Sequence, residues 1–218
     1  MTDATPPLAG GDVNVAGVVL AGGASSRMGG RDKVLLSLGG QQLIKRVADR
    51  LEPQVGALAI NTNNDTESMP DLGVPLISDR WSERRGPLAG VLAGMVWARS
   101  QGFSHIATVA GDTPFFPRTL VADLAHTLAC SQSSLALAAT CNDRGQVQRH
   151  PTFGIWSCCL ASDLAASLKR GIRKIVIWSD RHSTQVACFE VRGFDPFFNI
   201  NTPEQLELAR AMLPEIRI

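Results

Sequence analysis

The chain has 218 residues, 44% of them hydrophobic, which allows one large domain with a buried core. Its 21 basic and 20 acidic residues leave a formal net charge of +1, which excludes recruitment of nucleic acid or an anionic membrane by a global electrostatic field. The five cysteines include no C-x-x-C pair, which argues against a disulfide framework and a zinc site and favours a reducing cytoplasm.

Residues 1–14 precede the first patterned segment of the chain. They contain prolines and glycines but no basic start and no apolar run of signal-peptide length. No later stretch approaches the roughly 18 uninterrupted apolar residues that a membrane span requires. We therefore expect a flexible N-terminal tail over 1–14, one domain over 15–218, and a cytoplasmic protein that binds neither membrane nor nucleic acid.

Strands and helices alternate through the first two thirds of the chain. Apolar, β-branched runs predict strands, and apolar stripes at helical spacing predict helices. The predicted strands are 15–20, 58–61, 74–77, 105–110 and 135–140, and the predicted helices are 41–51, 88–99 and 117–129. This alternation is typical of an α/β fold with a mostly parallel sheet between two layers of helices. In such sheets, ligands bind at the carboxyl ends of the strands.

The last third of the chain has a less regular pattern. Residues 150–156, 174–178 and 184–190 are predicted to be extended and 157–169 to be helical. This pattern favours a small mixed β edge beside the parallel sheet. Thr202-Pro203 followed by Gln205 has the sequence of a capping box, so a final helix is predicted over 203–212.

A glycine-rich loop between Leu20 and Lys33 is the most informative segment. It reads Leu-Ala-Gly-Gly-Ala-Ser-Ser-Arg-Met-Gly-Gly-Arg-Asp-Lys. Glycines let backbone N–H groups approach an anion, and Arg27 and Lys33 add positive charge, so the loop is suited to hold phosphates. Neither the P-loop spacing nor the dinucleotide-binding spacing of glycines occurs here. A plain flexible connection between a strand and a helix is the competing interpretation.

The same loop, followed by Leu35-Leu36, resembles the signature of the molybdenum cofactor guanylyltransferases. Further motifs agree with that family in their order along the chain. They are Asn61, Ser78-Asp79, Gly86-Pro87-Leu88-Ala89-Gly90, Gly111-Asp112-Thr113-Pro114, His150-Pro151 and Asn199-Ile200-Asn201-Thr202-Pro203. The resemblance extends over residues 15–209 and implies a single-domain, three-layer α/β/α nucleotidyltransferase fold of the Rossmann-like type.

The resemblance also implies an activity and a set of nucleotide-binding residues. The family uses GTP and Mg²⁺ to attach GMP to the terminal phosphate of molybdenum-loaded molybdopterin, releasing pyrophosphate. The implied nucleotide-binding residues are Leu20, Ala21, Gly22, Gly23, Lys33, Asn61, Asp79 and Asp112. The candidate catalytic residues are Lys33, Arg27 and Asp112.

Asp112 is the candidate metal ligand. It follows the predicted strand 105–110, so its carboxylate should project at the carboxyl edge of the sheet, where a hard oxygen ligand can hold Mg²⁺ against phosphates. Losing one such electrostatic group typically lowers kcat by about 10²–10³.

Other residues are candidates for the side of the site that faces the acceptor. They are Gly86, Pro87, Leu88, His150, Asn199 and Asn201. The first three form a turn into a helix, whose N–H groups could bind an acceptor phosphate, and either asparagine could assist the metal. Plain turn, cap and hydrogen-bonding roles are the competing interpretation for all six, as an Asx turn is for Asn61 and Asp79.

No Ser-His-Asp or Cys-His nucleophile is apparent in the sequence. This absence fits guanylyl transfer, because the attacking group would be the acceptor's own phosphate, which is already an anion at neutral pH. The protein would instead align two phosphates and neutralise the charge that develops between them.

Several alternatives stay open at this level. The protein could be the cytidylyltransferase of the same pterin, a sugar-phosphate nucleotidyltransferase, or a non-catalytic nucleotide sensor or cofactor carrier. Gly22-Gly23 favours the guanylyl form, because the cytidylyl relatives usually carry Leu-Ala-Ala-Gly, and Lys33 with Asp112 argues against a sensor. We expect a monomer, and the resemblance implies transient contacts with cofactor-insertion proteins or molybdoenzymes.

Overall fold

The structure is a computed structural model that describes residues 14–22, 33–63, 69–79, 86–141, 146–191 and 193–213. Gly23, Arg27 and the predicted tail apart from Asn14 lie outside the described residues. The strands are β1 Val15–Leu20, β2 Ser37–Leu38, β3 Gln41–Gln42, β4 Ala57–Asn61, β5 Leu76–Ile77, β6 His105–Ala110, β7 Leu135–Cys141, β8 Val147–Ser157 and β9 Gln185–Glu190. The helices are α1 Leu43–Leu51, α2 Pro87–Ser100, α3 Leu120–Ala129, α4 Ala161–Lys169, α5 Ile175–Ser179 and α6 Pro203–Met212.

Within the described residues, the main sheet has seven strands in the order β5-β4-β1-β6-β8-β7-β9. Strands β5, β4, β1 and β6 pair in parallel, and we call them the parallel half. Strand β8 runs antiparallel to both of its neighbours, whereas β7 and β9 pair in parallel, and we call these three strands the mixed half. The predicted mostly parallel sheet with a mixed part is confirmed.

Helices cover both faces of the sheet and make the predicted three layers. Strand β1 shows why, because its side chains alternate between two apolar clusters. Val15 and Val19 face the cluster formed with α1 and α3, whereas Ala16 and Val18 face the cluster formed with α2, α4 and α5. A buried strand of a parallel sheet is therefore apolar on both faces.

Helix α6 belongs to a third apolar cluster. In this cluster, Leu206 and Ala209 of α6 lie with Leu38 of β2 and Leu43 of α1. The helix begins with a complete capping box, in which Thr202 accepts a hydrogen bond from the Gln205 N–H and the Gln205 side chain accepts from the backbone N–H of Thr202. The predicted helix and its cap are confirmed, and the cap fixes the segment that leads into α6.

Residues 174–178 were predicted to be extended, and this prediction is wrong. Ile175–Ser179 form α5, with Lys174 as its extended N-cap residue, because Ile175 and Trp178 are three residues apart and are buried on the same side of a helix. The Trp178 ring stacks against Trp156 at 6.1 Å, and its indole N–H donates to Asp163 Oδ2 at 2.8 Å. Tertiary burial thus overrides the strand preference of the Ile-Val-Ile run.

The cysteine spacing argues against a disulfide framework, but one pair of cysteines is bonded. Cys141 at the end of β7 is bonded to Cys188 on the neighbouring strand β9, with Cα atoms 5.9 Å apart. Cys130, Cys158 and Cys159 are free thiols. Burial raises the pKa of the Cys158 thiol to about 11, so this thiol stays protonated at neutral pH.

No helix in the described part of the chain is long and apolar enough to cross a membrane.

Candidate active site

A cavity of about 360 Å³ opens at the carboxyl ends of β1, β4 and β6. Strand β1 lies between β4 and β6, and the chain continues first to one side of β1 and then to the other. This reversal is the switch point at which open α/β sheets bind ligands. Among the described residues, the cavity is lined by Leu20, Ala21, Gly22, Lys33, Val34, Asn61, Asp79, Gly86, Pro87, Ala110, Asp112, Thr152 and Asn199.

Lys33, Asp112 and Asn201 form a charged cluster at one end of this cavity. The Lys33 ammonium makes an ion pair with the Asp112 carboxylate and donates a hydrogen bond of 2.7 Å to Asn201 Oδ1. Asp112 is only 6% exposed, and Thr113 Oγ1 lies 3.2 Å from Asp112 Oδ1 as a donor. A buried carboxylate is thus compensated by one cation and one hydroxyl.

The charged cluster is assembled from three distant parts of the chain. Lys33 begins the short 3-10 turn that follows the glycine-rich loop, and Asp112 follows β6 by two residues. The backbone N–H of Ile200 donates to the Asp112 carbonyl at 2.9 Å, which fixes the segment before α6 against the end of β6. Asn201 therefore reaches Lys33 because its own backbone is fixed beside Asp112.

Asn61, Asn63 and Asp79 form a second polar group, which we call the base-side cluster. Asn61 Nδ2 donates to Asp79 Oδ1 at 3.0 Å and to the Ile77 carbonyl at 3.2 Å. Asn63 Nδ2 donates to Asp79 Oδ2 at 2.7 Å, and its Oδ1 accepts from the Asp79 N–H at 2.9 Å. Asn61 and Asp79 thus link the ends of two adjacent strands, which an Asx turn within one loop would not do.

Glycines let helix α2 approach the base-side cluster closely. A Cβ atom at Gly90 would stand 2.2 Å from Asn61 Oδ1 and 2.9 Å from Leu20 Cδ2, so no larger residue fits there without displacing Asn61. Gly86 has a φ of +72° at the start of α2 and Pro87 takes the first helical position, an arrangement that favours this Gly-Pro pair.

The structure divides the predicted acceptor-side residues. Gly86, Pro87 and Asn199 line the cavity. Asn201 is not a lining residue, but its side chain accepts a hydrogen bond from Lys33, which is one. Leu88 does not line the cavity, because its side chain is fully buried in the core beneath α2. Its contribution to an acceptor site could come only from its backbone.

His150 also lies outside the cavity lining. Its ring stacks on Phe197 with centroids 4.3 Å apart, and its Nε2 lies 3.0 Å from Thr140 Oγ1. Burial lowers the pKa of His150 below its ordinary value, although the nearby Asp195 carboxylate opposes this shift. These contacts match the structural hydrogen-bonding role that the sequence left open.

Two residues of the site were not found from the sequence. Asn63 could have been found, because it follows Asn61 by two residues and so lies on the same side of the extended chain. Thr152 lines the cavity from β8, where its carbonyl accepts from Thr108 Oγ1 at 2.8 Å. No sequence signal predicts this contact, since it depends on β8 lying next to β6.

At the charged cluster, the described residues offer a magnesium ion one carboxylate, that of Asp112. Within the described residues, no group of three or more His, Cys, Asp or Glu side chains converges. Mg²⁺ commonly takes one or two carboxylates and completes its shell with phosphates and water. Asp112 supplies one such carboxylate, Asn199 lines the same cavity, and Asn201 Oδ1 accepts from the Lys33 ammonium that pairs with Asp112.

The chain is similar to known proteins along most of its length. The family described as a MobA-like NTP transferase domain matches residues 17–184. A molybdenum cofactor guanylyltransferase of Rhizobium leguminosarum bv. trifolii is 42% identical, and the match covers 95% of this chain and 97% of the relative. A protein of the same name from Rhizobium meliloti is 41% identical, with 90% of this chain and 91% of the relative covered.

Solved structures support the fold. The molybdopterin-guanine dinucleotide biosynthesis protein A of Archaeoglobus fulgidus superimposes with a TM-score of 0.69 at 23% identity, covering 92% of this chain and 99% of that one. A CMP:2-keto-3-deoxy-manno-octonic acid synthetase complexed with CTP also gives a TM-score of 0.69, at 15% identity over 93% of this chain and 99% of that one. From the family match and the curated relatives, the chain belongs to the molybdenum cofactor guanylyltransferases, within the MobA-like NTP transferase family.

Proposed function

We propose that this protein transfers GMP from GTP to the terminal phosphate of molybdenum-loaded molybdopterin, releasing pyrophosphate and forming the guanine dinucleotide cofactor. The observation that carries the proposal is one cavity at the sheet's switch point with a charged cluster at one end and a base-side cluster of amides and a carboxylate at the other. A nucleoside triphosphate has the matching polarity, with anionic phosphates at one end and hydrogen-bonding groups at the other.

The base-side cluster would bind the guanine ring. Both carboxylate oxygens of Asp79 accept one amide hydrogen bond each, and a carboxylate has about four acceptor positions, so further donors can be bound. Guanine offers N–H donors from its ring and its 2-amino group, whereas cytosine offers donors only from its 4-amino group. The names of the relatives support the same preference for guanine.

The charged cluster would bind the triphosphate. Among the described residues that line the cavity, Lys33 is the cation, and it would neutralise charge that develops on the leaving pyrophosphate. Arg27, which lies outside the described residues, would add a second positive charge from the same loop. Bound Mg²⁺ would supply charge neutralisation at the phosphates, and Asp112 with an amide oxygen of Asn199 or Asn201 would hold it there.

The acceptor would enter along the wall made by Gly86, Pro87, Thr152 and Asn199. Gly86 and Pro87 begin the 14-residue helix α2 in this wall, and the N–H groups and the dipole at a helix start favour a phosphate. The acceptor phosphate is the attacking group, so no protein base is required. The residues of the site would hold the two phosphates in line, which is the main source of rate in such a transfer.

A cytoplasmic location, a monomeric state and transient contacts with cofactor-insertion proteins or molybdoenzymes stay predictions that accompany this proposal. The Cys141–Cys188 disulfide argues against the predicted cytoplasmic location, since disulfides are rare in reducing compartments.

Pyrophosphate release and product mass test the proposal. The purified protein is incubated with molybdenum-loaded molybdopterin and each NTP separately, with Mg²⁺ or with EDTA. We expect pyrophosphate release and a GMP-pterin product only in the incubation that contains both GTP and Mg²⁺. Faster turnover with CTP would identify the cytidylyl enzyme instead, and nucleotide binding without any product would identify a sensor or carrier. Full activity in EDTA would remove the metal from the proposal.

A further inference from the structure

A second cavity, of about 120 Å³, lies between α1 and the segment that follows Asp112. Three arginines line it, namely Arg46, Arg50 and Arg118, together with Phe115 and Asp49. We call it the arginine cavity. No residue that lines it also lines the active-site cavity among the described residues, so the two are separate pockets.

The arginine cavity carries an excess of positive charge. Its carboxylate, Asp49, already accepts from Gln41 Nε2 at 2.6 Å and pairs with Lys45 Nζ at 2.9 Å. In the part of the chain that the structure describes, no arginine of the cavity forms an ion pair with a carboxylate. Three arginines thus line one small cavity, and the described ion pairs give none of them a carboxylate partner.

Two of these arginines are held in place by neutral groups. Arg46 Nε donates to the Leu38 carbonyl at 2.7 Å. Arg50 Nε donates to the Phe116 carbonyl, and the guanidinium carbon of Arg50 lies 5.8 Å from the centroid of the Phe116 ring. Carbonyls and a ring face fix the guanidinium groups without cancelling their charge, which preorganises them for an anion.

The proximity of these charges is costly while the cavity holds no anion. Burial, together with the positive charge of Arg118, lowers the pKa of Arg50 to about 10. Two guanidinium groups therefore repel each other at a partly buried position, and an oxyanion between them would relieve that repulsion.

We propose that the arginine cavity is a binding site for a small phosphate-class dianion. The guanidinium group matches the oxygens of a phosphate with paired N–H donors. The volume is well below the roughly 300–1,000 Å³ of pockets for drug-sized ligands and cofactors, so a free phosphate group fits the site and a nucleotide does not. This site does not depend on the proposed function, and it would bind phosphate even if guanylyl transfer failed.

Calorimetric titration with inorganic phosphate and with pyrophosphate tests the proposal. A Lys33→Ala background removes the principal cation of the active site, and chloride at matched ionic strength is the reference anion. In that background, we expect one phosphate site, with Arg118→Gln weakening it by about tenfold or more, the effect of losing a charged hydrogen bond. Arg118 is exposed, so its variant should fold.

Arg181→Gln is the matched control, because it removes one exposed arginine charge away from the cavity. It should leave phosphate binding unchanged. Tighter binding of pyrophosphate would identify the reaction product as the ligand, and equal or tighter binding of phosphate would identify the free ion. Binding no stronger than that of chloride, or an equal loss in both variants, would overturn the proposal.

Thermal unfolding gives a second readout that a merely structural role for Arg118 would not produce. In chloride, Arg118→Gln should be at least as stable as the parent, because one of two repelling charges is gone. In phosphate, the parent should rise in Tm and the variant should not. A lower Tm for the variant in chloride together with an unchanged rise in phosphate would contradict the proposed site.

Discussion

The two halves of the sheet contribute differently to this protein. In the parallel half, the ends of β1, β4 and β6 bring Lys33, Asn61 and Asp112 to one cavity. The mixed half contributes Thr152 to that cavity, and its remaining distinctive contacts are the Cys141–Cys188 disulfide and rings packed around Phe197. The comparison teaches that the ends of the parallel strands hold several of the charged and polar residues of the cavity, whereas the mixed half contributes Thr152, a crosslink and a group of packed rings.

The largest expected effect is on turnover, from a change in the parallel half. Asp112→Asn keeps the size of the side chain but removes the charge that pairs with Lys33 and would hold Mg²⁺. We expect kcat for pyrophosphate release to fall by about 10²–10³-fold, with the far-UV circular dichroism unchanged.

Asp180→Asn is the matched control for that change. Asp180 is also a carboxylate in an ion pair, but it is exposed, and its partner Arg149 belongs to β8 of the mixed half. Its loss should leave turnover unchanged. If both variants lost activity equally, the assignment of turnover to residues at the ends of the parallel strands would be wrong.

The next effect is on stability, from a change in the mixed half. The disulfide joins residues 47 apart in the sequence, and removing such a link typically costs about 2–4 kcal/mol. Cys141→Ser should lower the free energy of unfolding in urea by that amount and leave kcat unchanged. Dithiothreitol should destabilise the parent protein and not the variant.

Cys130→Ser is the control here, because Cys130 is an exposed free thiol. It should respond to dithiothreitol as the parent does. A parent protein whose urea midpoint is the same with and without the reductant would show that the crosslink does not form in solution.

A smaller effect is expected on the KM for GTP, from a change on helix α2 where it packs against the end of β4. The methyl group of Gly90→Ala would stand 2.2 Å from Asn61 Oδ1 and would displace the base-side cluster. We expect KM for GTP to rise by about tenfold, as for the loss of one good hydrogen bond, and stability to fall by about 1–3 kcal/mol.

Gly94→Ala, one turn further along α2, has a similar steric cost without that contact. Its methyl group would meet Val18 Cγ2 at 2.8 Å, so the variant should lose stability and keep its KM for GTP. An unchanged KM in Gly90→Ala, measured beside this control, would count against a nucleotide role for Asn61.

The smallest effect is the dependence of stability on pH. Burial lowers the pKa values of His105 in the parallel half and His150 in the mixed half. Below the ordinary pKa of about 6.5, the unfolded chain gains protons that the folded protein does not bind. Stability should therefore fall as the pH drops from 6.5 toward the lowered pKa values.

Replacing either histidine by asparagine should flatten this dependence, and urea unfolding at several pH values between 5 and 8 would measure it. Comparable flattening in His105→Asn and His150→Asn would show that burial, the first cause of both shifts, acts in both halves alike. A dependence that persists in the double variant would assign the pH effect to other groups.

Elements fixed by local patterns could be predicted from the sequence. The strands 15–20 and 105–110 and the helix 203–212 have the predicted bounds, because their apolar runs and the capping box are read over a few residues. Several candidate residues, among them Lys33, Asn61 and Asp112, lie around one cavity, since each belongs to the loop after β1 or follows a strand whose carboxyl end meets that edge.

Features that depend on distant partners could not be predicted. The helix α5 is set by the burial of Trp178 against Trp156, and the disulfide is set by the adjacency of β7 and β9. Thr152 reaches the cavity only because β8 pairs with β6 as far as Thr108 and Gly154. The local hydrophobic periodicity of the chain does not predict any of these long-range contacts.

The hydrogen bond between Lys33 and Asn201 also bears on when the protein becomes active during its synthesis. The two residues are 168 positions apart, so at about 5–20 residues per second roughly 10–30 s separate their addition to the chain. The four strands of the parallel half are all made well before Asn201, and they can pair while the C-terminal segment is still missing. A nascent chain that has not yet reached Asn201 would then hold Asp112 and Lys33 without the contacts from residues 200 and 201 that fix them, and would reach working geometry only after that segment has been made.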